Sequence, residues 1–161
     1  MTICVKLGKD NSGHPWVAEI EQSQYFGNKY SFHFWGYSAY IPQKRRDHPR
    51  VQAIVIVESS SVAKLEFVEV DVAKRRLGIG SLILGCIEHC MAQSGIDVIY
   101  GDISDDPSLY YPYFSNLASY LKVLRHFYTG HGWTWQLFGA HKPKSIKNPH
   151  AIGRVEKRIG R

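Results

Sequence analysis

The order of apolar and polar residues along the chain predicts five strands and two helices. Residues that favour strands, mostly β-branched and aromatic, are concentrated in five segments, 30–41, 51–57, 64–72, 96–103 and 133–140. Apolar residues recur at helical spacing from Ser81 to the residue before Gly95, and again from Leu117 to Tyr128. The order strand, strand, strand, helix, strand, helix, strand predicts a mixed α/β sandwich.

The third strand segment alternates most strictly between apolar and polar residues. Successive side chains of a strand point to opposite faces. We therefore expect Leu65 and Phe67 on one side of this strand, and Glu66, Val68 and Val70 on the other.

The composition is that of a globular domain. With 161 residues, 44% of them hydrophobic and 21% charged, the chain is long enough for one core and too short for two ordinary domains. No apolar run approaches the roughly 20 residues that cross a bilayer, and the first residues lack the apolar stretch of a secretory signal. Three cysteines without a framework spacing favour a reducing compartment. We expect a cytoplasmic protein without membrane contact.

The excess positive charge is concentrated near the C-terminus. The formal net charge is +6, and segment 142–161 holds seven basic residues and one acid, so the rest of the chain is balanced. Because it also contains two prolines and two glycines and is poor in apolar residues, we interpret it as a basic tail that follows a single domain, residues 1–141. Such a tail is either a solvated terminus or an arm that contacts a polyanion, such as nucleic acid or an acidic protein surface.

A turn with two glycines joins the third strand to the first helix. Gly78 and Gly80 permit a tight turn and a close approach to the backbone. The amides and the dipole of the helix N-terminus favour an anion, and Lys74, Arg75 and Arg76 add positive charges. The turn lacks the Gly-Lys-Ser/Thr of the nucleotide P-loop and the third glycine of the dinucleotide fingerprint. It is either a diphosphate site or an ordinary turn with surface cations.

Two motifs together resemble one family. Arg75-x-x-Gly78-x-Gly80 resembles the Arg/Gln-x-x-Gly-x-Gly/Ala acetyl-coenzyme A signature of the GNAT (GCN5-related) N-acetyltransferase superfamily. About 48 residues further on, segment 127–133 (FYTGHGW) is similar to that family's helix-ending motif, an aromatic-Tyr pair followed after three residues by Gly-aromatic. The motifs stand in the family's order, separated by a helix, a strand and a helix.

The resemblance implies a fold and a co-substrate. The fold is a mixed, mostly antiparallel sheet with helices on both faces and splayed central strands. The co-substrate is acetyl-coenzyme A, without a metal. Backbone groups of the strand before the turn would pair with pantetheine, and the turn would hold the diphosphate. The binding residues that the resemblance implies are Val68, Glu69, Val70, Arg75, Arg76, Leu77, Gly78, Ile79, Gly80 and Ser81.

The resemblance also implies a catalytic acid. Tyr128 matches the tyrosine that protonates the leaving thiolate. A phenol suits this role because its pKa, about 10, lies near that of a thiol. The alternative is a core aromatic on the helix.

The acceptor amine must lose a proton, so a general base is also needed. The candidates are Glu66, Glu69 and Asp102. Glu66 is preferred because alternation places it on the side of the two valines implied to line the pantetheine. Each of these carboxylates could equally be exposed on a strand. His131 could serve as well, but its place between two glycines indicates a turn.

The sequence departs from the family pattern before the second helix. The family commonly has an asparagine about eight residues before the tyrosine. Tyr120 occupies that position here, and Asn116 lies twelve residues before Tyr128. Segment 105–116 lengthens this connection, and its aromatic residues either form a substrate wall or pack against the core. Cys86 and Cys90 are interpreted as buried thiols, because no second pair completes a zinc site.

The resulting hypothesis is an enzyme that transfers an acetyl group from acetyl-coenzyme A to an amine. The acceptor is not identified by the sequence. The basic segment favours an amine of a protein, either a lysine or an N-terminus, or an RNA-associated amine over a small cation. The alternative is a catalytically silent module that binds coenzyme A or a partner, with a basic tail that contacts nucleic acid or protein.

Overall fold

The computed structural model describes residues 2–36, 51–70, 78–111, 113–139 and 148–160. The strands are β1 (Thr2–Lys9), β2 (Pro15–Gln22), β3 (Lys29–Gly36), β4 (Val51–Val57), β5 (Val62–Val70), β6 (Val98–Ser104), β7 (Thr134–Leu137) and β8 (Ala151–Arg158). The helices are α1 (Ile79–Gln93) and α2 (Leu117–Gly130), with one turn of 3₁₀ helix at Pro107–Leu109. None of the helices in these ranges is long and apolar enough to cross a membrane.

These eight strands form one mixed sheet in the order β1-β2-β3-β4-β5-β6-β8-β7. The pair β5 and β6 is parallel, and the other neighbouring pairs are antiparallel. Helix α1 supplies the crossover that a parallel pair needs. The prediction of a mixed, mostly antiparallel sheet with two helices is confirmed. The five predicted strands and both helices are present, although parts of segments 30–41, 64–72 and 133–140 lie outside the described residues.

Both helices pack on the same face of the sheet. On β8, Val155 is buried, and Lys157 points to the same side because it is two residues further along the strand. The Lys157 ammonium forms an ion pair with Glu88 of α1 and donates a hydrogen bond to the backbone oxygen of His131 at the end of α2, at 2.8 Å. One side chain thus contacts both helices. The resemblance implied helices on both faces of the sheet. In the described residues, α1 and α2 lie on one face.

Segment 142–161 is not a tail over its described length. Residues 151–158 form β8, an inner strand between β6 and β7. Ala151, Gly153 and Val155 alternate with polar or larger residues and face the core. The positive charge of this segment therefore did not indicate a tail. The basic residues of β8 either alternate with the core-facing positions or, like Lys157, form an ion pair. The part of the predicted tail at 142–147 lies outside the described residues.

Two N-terminal strands were not predicted. β1 and β2 form a hairpin that extends the sheet beyond β3. Its turn is held by the buried carboxylate of Asp10, which accepts hydrogen bonds from the backbone N–H of Ser12 at 2.8 Å and from the indole N–H of Trp16 at 2.9 Å. The hydrogen bond from Trp16 lowers the pKa of Asp10. The hairpin therefore has a rigid end, which lies against α1.

Candidate functional site

The candidate site begins where β5 and β6 separate. The parallel ladder joins Val62–Lys64 to Val98–Tyr100 and does not continue along the two strands. On its other edge, β5 remains paired with β4 from Ala63 to its end at Val70. Because β5 stays paired with β4 but separates from β6, a gap lies between β5 and β6. An extended ligand can occupy such a gap and form backbone hydrogen bonds with the strand.

A β-bulge lies at the start of this gap. Leu65 pairs with Val55 and Phe67 pairs with Ile54, so Glu66 is an extra residue in β5. A bulge bends its strand and increases the local twist. The bend explains why β5 separates from β6 beyond the last parallel pair, Lys64 with Tyr100.

The bulge also corrects the predicted alternation of β5. Residues directly opposite in an antiparallel pair share a face. Leu65 lies opposite buried Val55, and Val68 lies opposite buried Ala53, so these β5 residues face the helices, while Phe67 faces the other way. The expectation that Leu65 and Phe67 share a side is wrong, because the extra residue resets the period of two.

The N-terminus of α1 presents amides that no side chain of the described residues caps. Its N-cap residue, Gly78, has φ 71°, a left-handed conformation that favours glycine. A Cβ at this position would lie 2.6 Å from Cγ of Asn11, in the turn between β1 and β2. No acidic residue lies in the first helical turn. This end therefore keeps the partial positive charge that favours an anion.

Four of the residues implied to bind the diphosphate are placed at this helix end, from Gly78 to Ser81. Ile79 is buried in the core, whereas the Ser81 side chain is exposed. Arg75, Arg76 and Leu77 lie outside the described residues.

Helix α2 brings its C-terminal end against this N-terminus. A Cβ at Gly80 would overlap the ring of Phe127, so glycine is needed for the two helices to come this close. The Ser81 hydroxyl lies 2.8 Å from Nε2 of His131. Helix α2 ends in a Schellman motif, in which the N–H of Trp133 donates to the oxygen of Tyr128 at 3.0 Å. The FYTGHGW motif thus forms the end of α2, next to the start of α1.

Tyr128 lies in this helix layer. It is buried, and its ring contacts Phe127 and Trp133 at centroid distances of 5.1 Å and 5.3 Å. Burial raises the pKa of the Tyr128 phenol, and nearby Tyr120 raises it further. The hydroxyl therefore stays protonated at neutral pH, which is the form that can donate a proton.

A polar cluster lies on the opposite face, at the mouth of the gap. The Lys64 ammonium is 3.0 Å from Asp102 Oδ2 and 3.5 Å from Glu66 Oε2. Burial alone would lower the pKa of Lys64, but the hydrogen bond and charge of Asp102, with the charge of Glu66, raise it overall. The amide of Asn148 donates to the same oxygen of Asp102, at 3.0 Å. Two of the three candidate bases, Glu66 and Asp102, thus share one cation.

The third candidate base is placed differently. Glu69 pairs with Gln52 and is exposed. The structure places Tyr128 beside Phe127, whose ring lies against Gly80 near the start of α1. It brings Glu66 and Asp102 to the same cation, Lys64. Tyr128 and Glu66 lie on opposite faces of the sheet. Both side chains could therefore act on the same bound molecule only if its reacting atoms lie in the gap between β5 and β6.

The segment before α2 has local structural roles. The Asn116 side chain is the N-cap of α2 and accepts a hydrogen bond from the N–H of Ser119 at 2.8 Å. Tyr120, in the position of the family's asparagine, stacks on Tyr110 with a centroid distance of 5.3 Å. Tyr111 is 73% exposed. The aromatic residues of 105–116 therefore divide between packing on α2 and exposure to solvent.

Burial raises the pKa of the Cys86 thiol to about 12 and also raises that of Cys90, which agrees with unreactive thiols. Across the described ranges, no three His, Cys, Asp or Glu side chains come together as a potential metal site.

Three residues near the site were missed by the sequence analysis. Lys64 and Asn148 were missed because their partner, Asp102, is distant in sequence. Asn11 belongs to a hairpin whose turn, Asp-Asn-Ser-Gly between alternating strands, is a recognisable sequence signal.

Comparisons with solved structures give many neighbours. The chain is similar to an acetyltransferase from Streptococcus agalactiae, with a TM-score of 0.57, 10% identity, and coverage of 86% of this chain and 71% of that one. It is similar to the ribosomal-protein-S18-alanine N-acetyltransferase of Escherichia coli, with a TM-score of 0.52, 15% identity, and coverage of 83% and 71%. The PaiA N-acetyltransferase of Thermoplasma acidophilum, in complex with coenzyme A, has a TM-score of 0.53, 14% identity, and coverage of 85% and 65%.

No family model and no curated protein sequence matches the chain. The likeness therefore lies in the fold and not in overall sequence. Neighbours described as GNAT acetyltransferases include proteins from Desulfovibrio desulfuricans and Staphylococcus aureus, at 12% and 14% identity. With a mixed, mostly antiparallel sheet whose parallel pair, β5 and β6, separates near a bulge, this chain has the fold of the GNAT acetyltransferases.

Proposed function

We propose that the protein is a GNAT-type N-acetyltransferase that transfers an acetyl group from acetyl-coenzyme A to an amine. The observation that carries this proposal is the gap between β5 and β6, which opens near the Glu66 bulge, together with the N-terminus of α1, the helix that follows β5, which no side chain of the described residues caps. A gap for an extended thiol arm and a helix end for a diphosphate are the two features that coenzyme A requires. The fold shared with acetyltransferases supports the same assignment.

The proposed binding residues form two groups. Backbone groups of Val68, Glu69 and Val70, on the length of β5 beyond its ladder with β6, would pair with the pantetheine arm. The α1 turn, from Arg75 through Leu77 and Gly78 to Ser81, would hold the diphosphate. Bound acetyl-coenzyme A supplies an activated acyl group as a thioester.

The proposed proton transfers use residues from both faces. Tyr128 is the proposed acid, since its buried phenol remains protonated and can donate to a departing thiolate. Glu66 is the proposed base for the acceptor ammonium, and its position at the bulge places it beside the opening of the gap. Asp102 is the second candidate, because it is bonded to the same Lys64.

The proposed acceptor is a protein amine, either a lysine or an N-terminus, or an RNA-associated amine, rather than a small cation. One structural neighbour is named for its action on the alanine of a ribosomal protein, which supports a protein acceptor. Contact of the exposed basic residues near the C-terminus with a polyanion is a separate proposal. This contact would involve only basic side chains that are not already in ion pairs. Lys157 is paired with Glu88, and Arg154 is paired with Glu156 at 2.9 Å.

The test is thiol release from acetyl-coenzyme A with a panel of peptide and small amines, followed by mass spectrometry of the products. Tyr128→Phe is expected to lower kcat by about 10²- to 10⁴-fold, the usual contribution of a positioned acid, with the affinity for coenzyme A nearly unchanged. Tyr111→Phe is the matched control, because this tyrosine is 73% exposed. Equal loss of kcat and affinity in Tyr128→Phe contradicts the acid role.

The same assay separates the alternative function. Tight binding of coenzyme A without thiol release for any amine would favour a silent coenzyme A-binding module. Absence of coenzyme A binding would contradict both functions.

A further inference from the structure

The contact between the start of α1 and the end of α2 contains a hydrogen-bonded chain of three groups. Nδ1 of His131 lies 2.6 Å from the backbone oxygen of Phe127, and Nε2 lies 2.8 Å from Oγ of Ser81. The backbone N–H of His131 bonds the oxygen of Tyr128 instead. The imidazole therefore caps a carbonyl at the end of one helix and contacts a hydroxyl at the start of the other.

The chemistry of these groups determines where the protons lie. A carbonyl oxygen can only accept a hydrogen bond, so Nδ1 must carry a hydrogen. In neutral imidazole the other nitrogen, Nε2, is then an acceptor, and the Ser81 hydroxyl must donate to it. While His131 is neutral, the hydrogen of Ser81 is directed to His131 and away from any ligand at the helix end.

A diphosphate at this helix end would change that arrangement. Its oxygens are acceptors, so Ser81 would have to turn its hydrogen towards the ligand. Oγ and a neutral Nε2 would then face each other as two acceptors, a repulsive contact. A proton on Nε2 removes the conflict, because His131 can then donate to Ser81 while Ser81 donates to the diphosphate.

The charged groups around His131 agree with such a change. Lys157 of β8 donates to the backbone oxygen of His131, and Glu88 of α1 is ion-paired with Lys157. Among the described residues these two charges offset each other, and an anion at the start of α1 would stabilise a protonated imidazole.

We propose that His131 is a positioning residue that takes up a proton when a diphosphate binds at the start of α1, which turns the Ser81 hydroxyl from His131 to the diphosphate. The inference rests on the proposed function, since it concerns the same coenzyme A site. It adds a residue from the end of α2 and makes binding of the coenzyme depend on pH.

The test is calorimetric titration of the full chain with dephospho-coenzyme A between about pH 5.5 and pH 7.5, the range in which histidines commonly titrate. This probe keeps the diphosphate but lacks the 3′-phosphate, a monoester that would itself titrate near pH 6. Two buffers of different ionisation enthalpy give the number of protons taken up. We expect an uptake approaching one proton, and an affinity that rises by up to about tenfold for each pH unit lowered.

Two variants should abolish the proton uptake. Ser81→Ala removes the hydroxyl that must turn, and His131→Gln removes the titrating group, so both should bind with an affinity that does not depend on pH. Ser81 is exposed, so the alanine variant should fold even if the change at the end of α2 does not. His126→Gln is the matched control, because His126 is exposed on the same helix, and it should behave as the wild type.

The outcomes separate this inference from the proposed function. Binding to the wild type without proton uptake, or uptake that persists in Ser81→Ala, overturns the inference and leaves the acetyltransferase proposal standing. Failure of the wild type to bind either dephospho-coenzyme A or coenzyme A overturns both.

Discussion

On the face of the sheet that carries the helices, β5 and β6 place Leu65, Ile99 and Ile103 in the apolar core. On the opposite face, the same two strands place Lys64 and Asp102 in a salt bridge, with a distance of 3.0 Å. The two faces are therefore built from adjacent residues of the same strands. One face stabilises the fold by burial, while the other holds groups that can exchange protons, and the gap between the strands connects them.

The difference between the two faces depends on Glu66. As the extra residue of β5, it opens the gap to β6 and changes which of the following side chains face the helices. Deleting Glu66 would let Phe67 follow Leu65 in a regular ladder with β4, with every other side chain kept on its present face. We expect the variant to fold but to bind coenzyme A on the order of 100-fold more weakly, since small displacements of a binding strand have effects of this size. Calorimetric titration would measure the affinity.

Glu66→Ala is the control for the deletion, because it removes the carboxylate and keeps the extra residue. It should bind coenzyme A normally and lose turnover. If the deletion variant binds as well as the wild type, the bulge does not set the gap.

Substitutions at neighbouring positions of β5 should show that the two faces contribute differently to the free energy of unfolding. Leu65→Ala should lower the free energy of unfolding by about 2 to 5 kcal/mol, since Leu65 is 5% exposed and leaves a cavity. Lys64→Met should change it by less than about 1 kcal/mol, because its salt bridges are partly exposed. Urea denaturation would compare the two. Equal losses would show that the polar face also stabilises the fold.

The two glycines inside α1 offer the smallest and most closely matched comparison on the helix side. A Cβ at Gly80 would overlap Phe127, whereas one at Gly85 would meet nothing within 4 Å. Gly80→Ala should therefore lower the free energy of unfolding by about 1 to 3 kcal/mol through overpacking. Gly85→Ala should raise it by about 0.5 to 1 kcal/mol through helix propensity. Thermal denaturation of both variants checks the signs, and stabilisation by Gly80→Ala would contradict the close helix contact.

Local patterns predicted the elements that contain strong periodic signals. Segment 51–57 is a strand with the predicted bounds, and α2 begins at Leu117 as predicted. The interpretation of 142–161 as a tail was wrong for β8, because charge was given more weight than the alternation of Ala151, Gly153 and Val155. The polar residues of an inner strand can be retained when partners on neighbouring strands satisfy them, as Arg154 does over the ring of Tyr100, at 3.8 Å.

The candidate site was predicted in its contiguous parts only. Short motifs identified the start of α1 and the end of α2, since each is formed by neighbours in sequence. The cluster of Lys64, Asp102 and Asn148 could not be predicted, because Asn148 and Asp102 are 46 positions apart and meet only through the sheet. The preference for Glu66 rests on an alternation that the bulge interrupts.

The sequence by itself determined five of the eight strands, both α-helices, the order of these elements, and the helix start and helix end that carry the two motifs. These features follow from backbone conformation and side-chain period, which are local properties. Only the tertiary structure decided where the strand pair opens, which side chains share a face after the bulge, and that His131 meets Ser81. These depend on pairing register and helix packing, in which residues far apart in the chain satisfy one another's hydrogen bonds and volumes.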